Sequence, residues 1–125
     1  MGDIVIILIS SDFIDIRINW PSLVINKMIR HILLFSLDST KEDRVRNALL
    51  EALSHFPNQF PSMKMFQIGL NTSDRDREFE YAMTMEFVNK FSLDEYLHSE
   101  FHERFVNERF RPLITKRAIV TIEVE

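Results

Sequence analysis

The sequence of 125 residues contains no cysteine and only two glycines. Without cysteine the chain forms no disulfide, binds no zinc through thiolates and carries no thiol nucleophile. With two glycines it has few turns that depend on a left-handed backbone. Eleven phenylalanines indicate instead a well-packed core. Length and composition are those of one globular domain.

Positive charge is not in excess, because 15 basic and 19 acidic side chains give a formal net charge of −4. We therefore expect no nucleic-acid partner. The basic residues near the carboxyl end alternate with acids and apolar residues, which is typical of a solvated face: Arg104, Arg109, Arg111, Lys116 and Arg117. The longest apolar run, "IVIILI" at 4–9, is far short of the roughly 20 residues of a membrane span. It also lacks the basic start of a signal peptide, so we expect a cytoplasmic protein with no membrane partner.

Residues 1–27 differ from the rest of the chain. Two β-branched runs, at 3–9 and 12–18, flank a short polar segment and predict a β-hairpin. The segment is either an extra hairpin attached to the domain or an extension produced by the choice of start site. It is too apolar for a free linker, so we expect it to pack along a sheet edge or across a subunit contact.

A second pattern begins at residue 28 and continues to residue 125. Hydrophobic alternation predicts strands at 28–37, 63–71, 79–88 and 117–125, and helical periodicity predicts a helix after the first strand and another after the third. This β-α-β-β-α-β order predicts an α+β, ferredoxin-like domain. Such a domain has a four-stranded antiparallel sheet with both helices on one face.

Two short motifs predict where the helices begin. Ser39 with Glu42, and Ser92 with Glu95, have the spacing of a capping box. Phe91 precedes the second box as one half of a hydrophobic staple. A stripe of apolar residues at helical spacing then predicts the buried face of the first helix: Val45, Leu49, Leu53 and Phe56.

Alternation also assigns the strand residues to two faces of the sheet. The helix side receives Ile29, His31, Leu33, Phe35 and Leu37 from the first strand. The opposite face is predicted to carry Ile32, Leu34, Ala82, Thr84, Ile119 and Thr121. Because that face is too apolar to remain in water, we predict a homodimer whose two sheets pack back to back.

Several segments resemble the stress-responsive A/B barrel domain (Dabb) family, across residues 28–125. They read "MIRHILLFSL", "FPSMKMFQIGLN", "YAMTMEF", "LDEYLHSEFHERFVNERFRPL" and "VTIEVE". The family fold is a ferredoxin-like dimeric α+β barrel, which agrees with the predicted element order. Its members include plant stress-induced proteins and many bacterial proteins without an assigned activity.

The resemblance also implies candidate site residues. One branch of the family, a plant polyketide cyclase, uses no cofactor and relies on a histidine base beside a tyrosine and a strand histidine. By position these roles are assigned to His102, Tyr96 and His31. Two residues depart from the pattern: Ser99 replaces the first histidine of a His-Pro-x-His turn, and Leu53 replaces a pocket tyrosine. Both departures argue against transfer of the specific cyclisation.

The histidines also have simpler explanations. His98 and His102 lie four residues apart, but "HSEFH" lacks the "HExxH" arrangement and a third ligand, so we predict neither a metal nor a cofactor. His31 could be a buried histidine with one hydrogen bond. If the helix is broken at Ser99, with His102 at the third position of a new turn, His102 and Tyr96 would converge.

The expected function is therefore a Dabb-type protein that binds a small apolar or aromatic molecule between helices and sheet. Leu33, Phe35, Met83 and Phe101 are predicted to contact it, although methionines alternating along strands are more typical of core. An alternative is a cofactor-independent enzyme, polyketide-cyclase-like or with other carbonyl acid/base chemistry, with His102 as base. A cofactorless monooxygenase is a weaker alternative, by analogy with other dimeric α+β barrels.

Overall fold

The structure, a computed structural model, describes residues 7–9, 12–14 and 27–125. In the amino-terminal segment β1 (Ile7–Ile9) pairs antiparallel with β2 (Asp12–Ile14), as in a hairpin. The predicted packing of this segment against the domain falls on residues outside the described ranges.

The domain that follows contains four strands and four short helices. They are β3 (Met28–Leu37), α1 (Asp43–Ser54), α2 (Phe56–Gln59), β4 (Lys64–Leu70), β5 (Tyr81–Phe87), α3 (Lys90–Leu97), α4 (Glu100–Phe105) and β6 (Ile114–Val124). A π-helical turn (Val106–Phe110) and a 3-10 turn (Arg111–Leu113) join α4 to β6. Within the described ranges, none of the helices is long and apolar enough to cross a membrane.

The four-stranded sheet has the order β4-β5-β3-β6, and each neighbouring pair is antiparallel. The two central strands are therefore β3 and β5, which come first and third in the domain. This is the topology of the ferredoxin-like unit, and it confirms the predicted fold class.

The register of β3 decides which residues share a face of the sheet. His31 lies opposite Met85 on β5 and opposite Thr121 on β6. Leu33 lies opposite Ile119 on β6. Directly opposed residues of an antiparallel pair point to the same face. The buried His31 thus places Thr121 and Ile119 on the helix side.

This register corrects the face predicted for part of the last strand. Ile119 and Thr121 lie on the helix side. Val120 and Ile122 lie with Ile32 on the opposite side of the sheet, which we call the open face. Alternation within β6 could not decide this, because apolar residues occupy both of its faces. Ile119 is 49% exposed and Val120 is 46% exposed. Only the pairing with β3 distinguishes them.

The core lies between the helix side of the sheet and the helices. Its most deeply buried side chains are Phe35, Leu49, Leu53, Met83, Met85, Phe87 and Leu93. The predicted stripe of α1 is confirmed by the burial of Leu49 and Leu53. Met83 and Met85 fill the core, as expected of methionines that alternate along a strand.

The first helix does not begin with the predicted capping box. α1 begins at Asp43 after Glu42, which makes no side-chain cap. The Asp38 carboxylate instead accepts hydrogen bonds from the Thr40 backbone amide at 2.9 Å and from its hydroxyl at 2.6 Å. An aspartate that closes such a local turn holds the chain out of the helix for several residues. Ser39 therefore lies in the turn and not at the helix start.

The second predicted capping box is also wrong, by three residues. Asn89 caps α3, because its side-chain oxygen accepts a hydrogen bond from the Ser92 amide at 2.8 Å. Asparagine is as good an N-cap as serine, so the upstream residue takes the position. Phe91 is 68% exposed and forms no staple with the buried Tyr96.

Candidate functional site

The second helical region is interrupted at Ser99, whose extended backbone (φ −64°, ψ 148°) separates α3 from α4. The Ser99 hydroxyl donates to the Tyr96 carbonyl at 2.9 Å and accepts from the His102 amide at 3.1 Å. One side chain thus closes α3 and opens α4. This is the broken arrangement considered from the sequence, with His102 at the third position of the new helix.

Tyr96 lies between the two candidate histidines. Its ring centroid is 4.6 Å from that of His102 and 6.5 Å from that of His31. Phe87 stacks on Tyr96 with centroids 5.4 Å apart, which fixes the plane of the phenol. His31 Nδ1 lies at hydrogen-bond distance, 2.9 Å, from the Thr121 hydroxyl. The structure therefore brings together all three residues that the resemblance singled out, although their roles stay predictions.

The three rings border a cavity of about 180 Å³. Two arginines, Arg111 and Arg117, also line it. The rest of its wall is apolar and consists of Leu33, Met83, Leu97, Val106, Phe110 and Ile119. A cavity of about 150 Å³ in another protein holds benzene. This one therefore has room for a single aromatic ring with a small substituent.

Burial keeps the two histidines and the tyrosine of the cavity in their neutral forms. Desolvation lowers the pKa of His31, and the neighbouring His102 lowers it further. Desolvation also lowers the pKa of His102, partly offset by the Leu97 carbonyl and Glu103. Burial raises the pKa of Tyr96. Near pH 7 the two imidazoles are thus free to accept a proton, while the phenol remains a hydrogen-bond donor.

One nitrogen of His102 lacks a partner. Nδ1 is buried and makes no hydrogen bond to any part of the chain that the structure describes. The Leu97 carbonyl is near enough to favour the protonated ring but does not meet hydrogen-bond geometry at Nδ1. A histidine that accepts a proton on Nε2 carries its hydrogen on Nδ1 and needs an acceptor there.

Two of the four predicted ligand contacts line this cavity, namely Leu33 and Met83. Phe35 does not, because it is fully buried in the core against the edge of Phe110. Phe101 lines a different cavity of about 390 Å³. Phe101 and His102 are adjacent on α4 and point about 100° apart, and in this structure they line separate cavities.

The larger cavity is the less promising site. Exposed charged residues line it, as they line the smaller cavity, but it contains none of the three convergent residues. Arg109 lies over the Phe105 ring, 5.3 Å from its centroid, and so belongs to the surface packing of α4. The smaller cavity is the candidate site, because there buried titratable groups meet an apolar space.

Sequence reasoning missed Arg111 and Arg117 as cavity residues. The charge pattern placed both on a solvated face, and both side chains are indeed exposed while they also border the cavity. Arg117 lies opposite Phe35, which puts it on the helix side of β6, and Arg111 opens the 3-10 turn before that strand. Their position on the cavity could be predicted only once the register of β6 was known.

His98 does not take part in this arrangement. Its side chain is exposed, and its Nδ1 lies 2.9 Å from the Asp94 carbonyl. The break at Ser99 separates it from His102, which lines the cavity. In residues 27–125 and the two short amino-terminal strands, no three histidine, aspartate or glutamate side chains form a group that could hold a metal ion.

Fold and site together define a ferredoxin-like α+β domain with an internal cavity beside two histidines and a tyrosine. The chain belongs to the stress responsive A/B barrel domain (Dabb) family, whose model matches residues 29–124. The resemblance drawn from the sequence is confirmed.

Solved structures share this fold. A Dabb family protein from Mesorhizobium loti is 20% identical, with 77% of this chain and 95% of that chain covered and a TM-score of 0.69. A dimeric ferredoxin-like protein of unknown function from Thermobifida fusca is 20% identical (79% and 92% covered, TM-score 0.67). The hydroxynitrile lyase from Passiflora edulis is 19% identical (80% and 95% covered, TM-score 0.72). At such identities the likeness establishes the fold alone. Among curated protein sequences no significant match was found.

The Ser99 cap generates a testable prediction. Ser99→Ala and Asn89→Ala each remove one N-cap side chain and should each lower the free energy of unfolding by about 1 kcal/mol, measured in urea. Only Ser99→Ala should also shift the NMR resonances of the His102 ring, because only Ser99 bonds both Tyr96 and His102. Unchanged His102 resonances in Ser99→Ala would show that the cap does not orient the site.

Proposed function

We propose that the protein binds a small apolar or aromatic molecule in the cavity that His31, Tyr96 and His102 border, without a cofactor. The observation that carries this proposal is the cavity itself, with mainly apolar walls, two imidazoles and the Tyr96 phenol. Ligand sites in proteins have this composition. At about 180 Å³ the space is smaller than a drug-sized pocket, which favours a molecule with one ring or a short chain.

Filling the cavity with a larger side chain should weaken binding. Ile119 lines the cavity from β6, so the larger side chain of Ile119→Trp would occupy part of the space. This variant should bind para-fluoroacetophenone about tenfold more weakly or worse, which corresponds to the loss of a few apolar contacts. Fluorine NMR measures the affinity. The matched control is Leu70→Trp, an exposed apolar residue at the opposite edge of the sheet that does not line the cavity. Equal affinity in both variants, or no binding to the unaltered protein, would contradict the proposal.

Acid/base catalysis in the same cavity is the second candidate function. The 4.6 Å separation of the Tyr96 and His102 rings favours it, because a base and a hydrogen-bond donor then reach the same small molecule. In this scheme His102 Nε2 removes a proton from the carbon next to a carbonyl, and the C–H electron pair forms an enolate. The Tyr96 hydroxyl donates to the enolate oxygen, and His31 orients the group from the sheet.

Two observations bear on the kind of reaction. Leu53, at the position of the cyclase's pocket tyrosine, is buried in the core, so we do not propose the specific polyketide cyclisation. The Passiflora edulis hydroxynitrile lyase shares the fold, which supports an enzymatic use of the scaffold. Proton transfer next to a carbonyl is the reaction class that these residues favour.

Deuterium exchange tests the catalytic candidate. In D₂O the unaltered protein should speed exchange of the methyl protons of para-fluoroacetophenone, followed by proton NMR. His102→Gln should lower the rate by about 100-fold or more, because the base is lost, and Tyr96→Phe by less. His98→Gln is the matched control, since this exposed histidine lies outside the cavity. A His102→Gln rate equal to that of the control would show that His102 is not the base, and no acceleration by the unaltered protein would leave a binding protein without turnover.

We also propose that two copies associate through the open faces of their sheets. That face carries exposed or half-buried apolar residues: Ile32, Leu34, Ala118, Val120 and Ile122. Among them Arg30 Nε donates to Glu86 Oε2 at 2.8 Å, so the charges on this face are already partly neutralised. The related Thermobifida fusca protein is dimeric. A second copy would remove this apolar surface from water.

Two neighbouring residues of β6 test the dimer. Val120→Glu places a charge on the open face and should convert the dimer to a monomer in sedimentation velocity at micromolar concentration. Ile119→Glu is the matched control, because this residue has similar exposure but lies on the helix side. A monomeric unaltered protein would rule the dimer out, and so would a Val120→Glu variant that sediments as the dimer.

A further inference from the structure

We infer that the molecule bound in the cavity is a small monocarboxylate with an apolar body, whose carboxylate is held by Arg111 and Arg117. The apolar body would then extend toward His31 and His102. The inference rests on the proposed function, since it specifies the chemical class of the ligand. It begins from the two arginines that line the cavity.

The two arginines reach the cavity from different elements. Arg111 begins the 3-10 turn after α4, whereas Arg117 lies on β6 on the same face as His31. Both side chains are exposed overall, so water screens their repulsion, but each also borders the same concave space, where an anion would meet two positive charges at once. Their convergence on one concave, apolar space is therefore informative about what that space binds.

The neighbouring cations have partners of their own. Arg104 pairs with Glu100, and Lys116 Nζ lies 2.6 Å from Glu78 Oε2. Arg109 lies over the Phe105 ring. Across residues 27–125, by contrast, neither Arg111 nor Arg117 has a carboxylate within ion-pair distance. Within this part of the chain these two are the basic residues left to bind an external anion at the cavity.

The lining of the cavity contains no aspartate or glutamate among the described residues. Its two histidines are neutral near pH 7, so the arginines are its only charges there. The guanidinium group matches a carboxylate with two parallel hydrogen bonds. Free phosphate would leave the apolar walls unused, and a nucleotide exceeds about 180 Å³. A carboxylate attached to an apolar body uses both parts of the lining.

The cavity is also polarised from end to end. Arg117, Ile119 and Thr121 follow one another on the helix side of β6, and Thr121 bonds His31. At about 3.3 Å per residue, Arg117 and Thr121 are about 13 Å apart along the strand. One end is therefore basic, the middle apolar and the other end occupied by imidazoles and the phenol. A single-ring acid anchored at the arginines would present its far end to Tyr96 and His102.

Three probes of nearly equal size test this inference by fluorine NMR titration. They are para-fluorobenzoate, para-fluorobenzamide and para-fluoroacetophenone, of which only the first is charged. The benzoate should bind about tenfold more tightly than the amide, the usual scale of a charge-assisted pair that remains partly exposed. Arg111→Gln and Arg117→Gln should each reduce that ratio, and Arg117→Lys should reduce it less. Added salt should also reduce it.

Arg75→Gln is the matched control, because it removes the same charge from an exposed loop residue outside the cavity. It should leave the ratio of benzoate to amide affinity unchanged. If the unaltered protein binds benzoate and amide with equal affinity, the carboxylate inference is overturned. Binding of the neutral probes would still support the proposed function. A ratio that Arg111→Gln, Arg117→Gln and Arg75→Gln lower equally would overturn the inference too. Failure of all three probes to bind would overturn both.

Discussion

The candidate site depends on the two hydrogen bonds of the Ser99 side chain. The hydroxyl donates to the Tyr96 carbonyl and accepts from the His102 amide, so it joins the end of one helix to the beginning of the next. Without this break, a continuous helix would place positions 96 and 102 about 120° apart around its axis. With it, their rings are 4.6 Å apart. The serine that replaces a histidine of the family turn thus has a structural role of its own.

The other half of the site comes from β3, which is paired on both sides. His31 is the second of its five helix-side residues and is buried there, on a strand flanked by β5 and β6. Burial removes water from the imidazole and so favours its neutral form. The Thr121 hydroxyl supplies a hydrogen-bond partner for the ring. The position of His31 in the sheet therefore also keeps its imidazole neutral near pH 7.

Membership in the Dabb family establishes the fold more firmly than the activity. The cavity adds chemical information, since it combines apolar walls, neutral imidazoles, a protonated phenol and two arginines. These groups together favour a small molecule with one anionic end and one end open to proton transfer. The open face of the sheet, with its apolar residues around the Arg30–Glu86 ion pair, favours a second copy as partner.

Sequence patterns predicted the order of the strands and helices, because strand alternation and helical periodicity are strong over 28–88. They also predicted the burial of His31, and the Dabb resemblance singled out His31, Tyr96 and His102. The sequence patterns did not predict the exact helix starts, because the side-chain oxygens of Asp38 and Asn89 compete with those of Ser39 and Ser92. Only the tertiary structure decided the faces of β6, because both carry apolar residues and pairing with β3 alone distinguishes Ile119 from Val120. The same register brought Arg117 to the cavity, which no local pattern of charge could show.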